Sequence, residues 1–360
     1  MQTMYTILIR GKLYIVVLLS LLVVTVWTLV IGSMPVSGNA SPVRLVIAKG
    51  ASANRIAAIL DANGLVRSPF VFVLTCRLSG TSEALKPGVY ELNRAMSAPR
   101  IIEKLVAGES LETWVTFPEG FNARQIGDLL QSKLLANGDA FVQLVFSDAN
   151  AFPMYSFVVS DNLEGYLFPD TYLIARGTDP RAIVGKMLDA FETKVAVPLG
   201  PEIKRAVRSR LGRGHDLTFA DCLHTVLIVA SLIEREAKAD KDRALISAVL
   251  WNRLGVGMRL QVDATVSYVP GVSGSNRDGL SYQDLRSDSP YNTYKHGGLP
   301  PAPICNPGLE SIKAAIRPAN VDYLYYVVGP DGKSHVFSKT YEEHLAAKKL
   351  RDRPTTTGGR

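Results

Sequence analysis

The sequence predicts an α+β fold behind an apolar N-terminal helix, and three stretches carry that prediction. Leu13–Ile31 is nineteen residues without a charge, a strand–glycine–helix pattern at Leu45–Leu60 recurs at Val115–Leu130, and Thr218–Ala239 holds a long, almost wholly apolar helical run. At 360 residues the chain has room for two or three domains, and 47% hydrophobic with 20% charged residues is a globular composition with a membrane share.

The apolar run follows Arg10 and Lys12, and the next charge is Arg44. A run of that length crosses a bilayer as one helix, and the basic residues before it place the N-terminus in the cytoplasm. Residues 1–12 are thus a cytoplasmic segment, 13–32 a transmembrane helix and 33–42 a linker, with the functional domains beyond the membrane. The competing reading is a cleaved signal peptide ending near Gly38-Asn39-Ala40, but the run exceeds the usual signal core. A net charge of +7 favours anionic partners such as lipid headgroups and acidic polymers. No aromatic-and-basic RNA motif accompanies it, so nucleic acid is not an expected partner. Cys76, Cys222 and Cys305 are odd in number, widely spaced and without CxxC, and the five His show no HExxH spacing. Neither a disulfide framework, a metal nor a cofactor is expected.

Val43–Ala48 reads as a strand, Lys49-Gly50 as a turn, and Ser52 caps a helix with Ile56, Ile59 and Leu60 on its apolar stripe. A helix over Pro69–Arg77, a strand over Val89–Leu92 and a helix over Ala98–Ala107 complete a small unit. Leu45–Ala53 then lies without gaps on Val115–Ala123, with Ile56 on Ile126, Ile59 on Leu129 and Leu60 on Leu130. Two copies indicate a duplicated small module rather than a solenoid. From Asn137 to Arg213 the pattern is mostly helical, interrupted by the aromatic island Leu163–Tyr172, which contains Glu164 and Tyr166. Aromatic faces beside Asp and Thr suit sugar rings, and a buried structural loop has the same composition.

Thr218 with Asp221 three residues on is a capping-box-like start to the central helix. Cys222–Ile233 is apolar almost all round, as in a helix buried in a core, and at Glu234 the sequence turns charged. Glu234 and Glu236 are about 200° apart on a helix and cannot share a face. Glu236 continues the stripe of Val229 and Ile233, where desolvation raises a carboxyl pKa and keeps it protonated. Glu234 has Lys238 one turn on, a favourable surface pair. The helix phase therefore prefers Glu236 as the functional acid.

Asp242–Leu254 reads as a second helix. Polar and apolar residues alternate from Arg259 to Thr265, so Arg259, Gln261, Asp263 and Thr265 share one face of an extended segment, either a hydrogen-bonding row for an extended polar ligand or a solvated strand face. Asp288–Gly308 is mostly loop, its four prolines between Gly297 and Pro307 stiffening it to present side chains after the cluster Tyr291, Asn292, Thr293, Tyr294. Leu309–Ile316 is helical, Tyr323–Val328 and Ser334–Ser338 form a hairpin, Thr340–Leu350 is a closing helix, and residues 351–360 are a tail.

Together, Glu164–Tyr172, Ala230–Glu236, Asn252-Arg253-Leu254, Met258–Thr265, Tyr291–Tyr294 and Gly298–Pro301 resemble the endolytic murein transglycosylase (YceG-like) family over nearly the whole chain. The resemblance implies an inner-membrane anchor, a LysM-like α/β module over residues 43–110 and an α+β catalytic domain over 111–350 in the periplasm. It implies cleavage of the β-1,4 bond between N-acetylmuramic acid and N-acetylglucosamine within glycan strands, leaving 1,6-anhydro ends and limiting strand length. Peptidoglycan synthases and elongation or division proteins are the implied partners, beside membrane lipid. In the family the second Glu of the E-x-E pair is the catalytic acid, here Glu236, and Gln261, Asp263, Thr265, Asn292 and Tyr294 fall on motif positions around the cleft. Glu234 or Asp263 is placed to orient the acid or the 2-acetamido group. Two other readings remain open, a muramidase that uses water and a non-catalytic glycan-binding scaffold.

Overall fold

The computed structural model describes residues 19–147, 151–159, 162–211, 217–269 and 280–351. The chain divides into two compact units, the first running to Val115 and taking in Tyr172–Arg176, the second comprising Thr116–Thr171 and Gly177–Arg360.

In the first unit residues 19–33 form a helix, α1, and its Leu21, Val24 and Trp27 are exposed. Among the described residues no helix is long and apolar enough to cross a membrane. The run read as a membrane helix begins at Leu13, so its start lies outside the described residues, as do residues 1–12 and, beyond Arg351, the tail. The stretch read as a linker is tied down where it begins. Arg67 donates to the carbonyls of Pro35 at 2.7 Å and Val36 at 3.2 Å, and the Ser37 N–H donates to the Arg94 carbonyl at 3.1 Å.

Strands β1 (Val43–Ile47) and β2 (Gly88–Leu92) pair antiparallel, with Val43 opposite Leu92 and Ile47 opposite Gly88. Between them come α2 (Ala53–Ala62) and α3 (Pro69–Leu78), and after them α4 (Ala98–Ala107). Alternation on β1 turns Leu45 and Ile47 inward, where they meet Ile56 and Leu60 of α2, Phe72 of α3 and Ile101 of α4. Strand β3 (Glu112–Thr116) adds to β2, and β4 (Thr171–Ala175) completes a sheet in the order β1-β2-β3-β4.

The duplication read from the sequence is borne out in backbone detail. Gly50 and Gly120 turn the chain at φ +80° and +78°, a region that favours glycine because it carries no Cβ. Ser52 then caps α2, and Asn122 caps α5 (Ala123–Ser132) with a full capping box. Both helices close with the same bond, Leu65 N–H to the Leu60 carbonyl at 2.9 Å and Leu135 N–H to the Leu130 carbonyl at 3.0 Å. A second helix follows in each copy, α3 in the first and α6 (Gly138–Ser147) in the second. The repeat is therefore strand–helix–helix–strand, running β1-α2-α3-β2 and β3-α5-α6-β4. Strand β4 had no counterpart in the helical reading of Asn137–Arg213.

In the second unit α7 (Pro180–Phe191) runs through a π-helical turn, Glu192–Ala196, into α8 (Val197–Leu211). The central helix, α9, spans Phe219–Glu236. Thr218 and Asp221 cap it reciprocally, with Asp221 N–H to Thr218 Oγ1 at 3.2 Å and Thr218 N–H to Asp221 Oδ2 at 2.9 Å. Every residue from Val226 to Ile233 is buried, packed among α8, α10 (Arg243–Gly255) and α12 (Leu309–Ile316). Between the last two lies α11 (Asp263–Ser267), and the unit closes with β5 (Tyr325–Val328), β6 (His335–Ser338) and α13 (Tyr341–Arg351).

The polar residues on α9 hold loops against it. His224 accepts from Tyr166 Oη at 3.0 Å through Nδ1 and donates from Nε2 to the Pro301 carbonyl at 3.3 Å, the tautomer assigned by these partners. Ser231 Oγ accepts the Ile304 N–H at 3.1 Å, and Cys305 Sγ donates to the Ser231 carbonyl at 3.5 Å. Ala302–Gly308 is consequently buried. From Ala302 on the proline-rich loop is core, which corrects for that part the expectation that it presents side chains, while Gly297, Gly298 and Pro301 are exposed.

The aromatic island is core as well. Leu163–Pro169 is buried throughout, and Tyr166 is 0% exposed, so a sugar-contacting role for it is overturned. Glu164 lies behind Ala123, accepting its N–H at 3.0 Å, with Asn306 Nδ2 at 2.8 Å and Tyr268 Oη at 3.4 Å. It satisfies a free donor at the start of α5 and is a structural pin, not an exposed acid. Burial pushes its carboxyl up to about 8. The folded chain therefore holds, between an ordinary carboxylate pKa and about 8, a proton that the unfolded chain releases, and stability falls as pH rises through that window. The fall is expected to be shallower in Glu164→Gln, as read from urea midpoints across the same pH range.

Candidate active site

Helix α9 ends at Glu236 because Ala237 turns to an extended backbone, φ −69° and ψ 116°. Lys238 is thus off the helix and does not pair with Glu234, correcting that expectation. Glu234 faces α10 and α12 instead. Its Oε1 lies 3.3 Å from Arg243 Nη1, its Oε2 accepts the Gly308 N–H at 3.0 Å, and its side chain is only 8% exposed. Arg243 also donates to Ser311 Oγ. The carboxylate of Glu234 is occupied on the side away from Glu236, and it fastens the end of α9 to α12.

Glu236 points the other way. Its Oε2 accepts the hydroxyl of Tyr326, on β5, at 3.1 Å. The Ala264 N–H at the start of α11 donates to the same carboxyl group. Burial is the largest influence on it, followed by the charge of Asp263, and together they push it up to about 7 against the lowering effect of the two donors. Its place in the last turn of α9, at the negative end of the helix dipole, acts in the same direction. Near neutral pH this carboxyl is poised between acid and carboxylate, the condition for general acid–base work.

Asp263 is exposed and accepts the Tyr294 hydroxyl. Burial and that bond to Asp263 hold the Tyr294 phenol well above its ordinary range, so it remains a donor. Gln261 is exposed, its backbone at φ +50° and its N–H donating to the Thr293 carbonyl at 3.2 Å.

The single extended face expected for Arg259–Thr265 does not form. The chain leaves the extended region at Gln261 and enters α11 at Asp263, so Thr265 turns inward. It is 0% exposed and bonds to the Val262 carbonyl at 2.7 Å and Thr293 Oγ1 at 3.0 Å. Asn292 is equally buried, donating to the carbonyls of Leu285 at 3.0 Å and Ser287 at 2.7 Å and accepting the Tyr294 N–H at 3.0 Å. Thr265 and Asn292 shape the loop that presents Tyr294; neither faces a ligand. Among the proposed site residues, the structure brings Glu236, Asp263 and Tyr294 together. Gln261 stands two residues before Asp263, while Glu164, Tyr166 and Glu234 serve elsewhere in the unit.

Two contributors escaped the sequence reading. Tyr326 is one, since strand alternation turns Tyr325 to Tyr341 and His344 and Tyr326 to Glu236, and only the hairpin's placement reveals which matters. Arg253 is the other. It donates to the Leu324 and Leu260 carbonyls, each at 2.6 Å, while Asn252 Nδ2 reaches those of Val321 and Tyr323, each at 2.9 Å. The Asn252-Arg253 pair thereby fastens the two segments that lead to Tyr326 and Asp263. Among the described residues no cluster of His, Cys, Asp and Glu is arranged to hold a metal ion.

The chain belongs to the YceG-like family, whose model matches residues 45–350. It is 33% identical over 319 residues to an endolytic murein transglycosylase of Bacillus subtilis, covering 85% of this chain and 84% of that one. It is 29% identical over 342 residues to the enzyme of that name from Streptococcus pneumoniae, covering 86% of this chain but 59% of the longer relative. A solved YceG-like protein from Listeria monocytogenes superposes with a TM-score of 0.58 at 31% identity, over 86% of this chain and 99% of that one.

The groups around Glu236 act with opposite signs. Asp263→Asn is expected to lower the titration midpoint of the Glu236 carboxyl and Tyr326→Phe to raise it, each measured by carbon-13 NMR of the labelled side chain. The predicted signs follow from the raising effect of Asp263 and the lowering effect of Tyr326.

Proposed function

We propose that this protein is an endolytic murein transglycosylase, cleaving the β-1,4 bond between N-acetylmuramic acid and N-acetylglucosamine inside peptidoglycan strands, with Glu236 as its catalytic acid. The observation that carries the reading is the setting of Glu236, a carboxyl group pushed up to about 7 by burial and by the neighbouring Asp263, in a chain of this family. Water-using glycosidases need two carboxyl groups, one as acid and one as base or nucleophile. A lytic transglycosylase needs one, because the sugar supplies its own nucleophile.

Protonated Glu236 gives its proton to the glycosidic oxygen as the bond to the anomeric carbon breaks. The C6 hydroxyl of the same muramic acid residue closes on that carbon, and the Glu236 carboxylate takes its proton, which restores the acid and leaves a 1,6-anhydro ring. Asp263, held by Tyr294, is placed to orient the 2-acetamido group, and Gln261 to bind the strand beside it.

Two further parts complete the reading. The apolar run 13–32, of which α1 is the described part, anchors the chain in the inner membrane with its N-terminus in the cytoplasm and its enzyme in the periplasm. Residues 43–110, from β1 through α4, are the LysM-like module and contact glycan. Cleaving nascent strands there limits their length, in company with the synthases that make them.

Glu236→Gln, assayed on purified glycan strands with products resolved by mass spectrometry, is expected to lose anhydro ends by roughly 10²–10⁴-fold. Anhydro ends formed at near the unmodified rate would remove Glu236 from the reaction. Reducing ends in the unmodified protein's products would mark a muramidase, and no cleavage with glycan still bound would mark a scaffold.

A further inference from the structure

The exit of α1 is built into the first unit. Gly32 packs so closely on α3 that a Cβ there would lie 2.6 Å from Val71 Cγ2. The Arg67 guanidinium binds the next two carbonyls, those of Pro35 and Val36. The end of α1 and the start of α3 are therefore one fixed corner.

Beside Val71, at the second position of α3, Phe70 is 71% exposed, and Met34, two residues past Gly32, is 49% exposed. Side chains on a helix lean toward its N-terminus, so Phe70 leans toward the end at which α1 leaves. Behind Phe70 an open groove of about 450 Å³ continues the apolar surface along Val73 and Leu74 to Ala57 and Ala58 of α2. A large aromatic in water at this corner, with an apolar groove behind it, is an unpartnered surface.

Its depth names its partner. A hydrocarbon layer of about 30 Å takes roughly twenty helical residues. Counted from Leu13, the first residue of the charge-free run, the layer ends at Gly32, the level of Val71. Phe70 and Met34 then stand at the boundary between acyl chains and headgroups, where aromatic residues are enriched.

We propose that the start of α3 is a membrane-seating surface, with Phe70 and Met34 inserted into the outer face of the bilayer. The inference rests on the reading of residues 13–32 as an anchor. It adds that the strand–helix–helix–strand module is held against lipid at this corner and does not swing on a slack tether.

The test uses the full chain in vesicles of phosphatidylethanolamine and phosphatidylglycerol, with Phe70→Cys or Val24→Cys carrying a bimane label. Cys76, Cys222 and Cys305 are buried, so the parent chain supplies the labelling background. A nitroxide near the headgroup end of the lipid chains is expected to quench the label at position 70, and one deep in the chains the label at position 24, each more than about twofold, with aqueous iodide reaching neither. Quenching at position 24 with iodide reaching position 70 overturns the seating and leaves the anchor standing. Quenching at neither overturns both. Should Phe70→Cys fail to fold, Met34→Cys reads the same depth.

Discussion

The chemistry of this protein depends on where one helix stops. Helix α9 is buried through Ile233 and ends at Glu236, so the last carboxyl group leaves the core on the side of the β5–β6 hairpin. A carboxylate there is disfavoured by lost hydration, by Asp263 and by the dipole of the helix that carries it. Were the helix to run one turn further, Glu234 would gain Lys238 as a surface partner and the acid would sit in mid-helix. The extended backbone at Ala237 prevents this and commits Glu234 to Arg243 and Gly308. The two glutamates of one short motif thus divide the work, one fastening the helix end and the other free to exchange a proton.

Much of the second unit exists to hold the surroundings of that proton still. Arg253 and Asn252 on α10 grip the backbone leading to Tyr326 and to Asp263. Thr293 Oγ1 accepts the Val262 N–H at 2.9 Å, so the loop that carries Tyr294 is locked to the segment that carries Asp263. Asn306 does the same deeper down, accepting the Gly165 and Leu167 N–H groups at 2.8 and 3.1 Å and donating to Phe121 and Glu164. These polar groups are buried and satisfied, the condition under which buried polarity specifies a single arrangement.

What the sequence disclosed follows from what is local. The capping box at Thr218, the phase that separates Glu234 from Glu236, and the duplicated strand–turn–helix at Gly50 and Gly120 are short-range properties, and the structure bears each of them out. Leu309–Ile316 was legible to the residue for the same reason. Tertiary contacts decided the rest. The alternation at Arg259–Thr265 has a strand's period, but the turn at Gln261 and the bonds between Thr265 and Thr293 convert it to a turn and a short helix. Glu164 and Tyr166 look like binding residues by type, yet partners more than forty residues away, Ala123 and His224, bury them. Tyr326 carried no local mark at all, because its partner is 90 positions distant.

The account turns on a carboxyl group that burial keeps protonated near neutrality. The most direct measurement is the pH dependence of anhydro-end formation by the unmodified chain at limiting glycan. Activity is predicted to fall as pH rises through about 7, where Glu236 gives up its proton. A fall centred instead on the ordinary carboxylate range, or activity undiminished well above neutrality, would contradict the account.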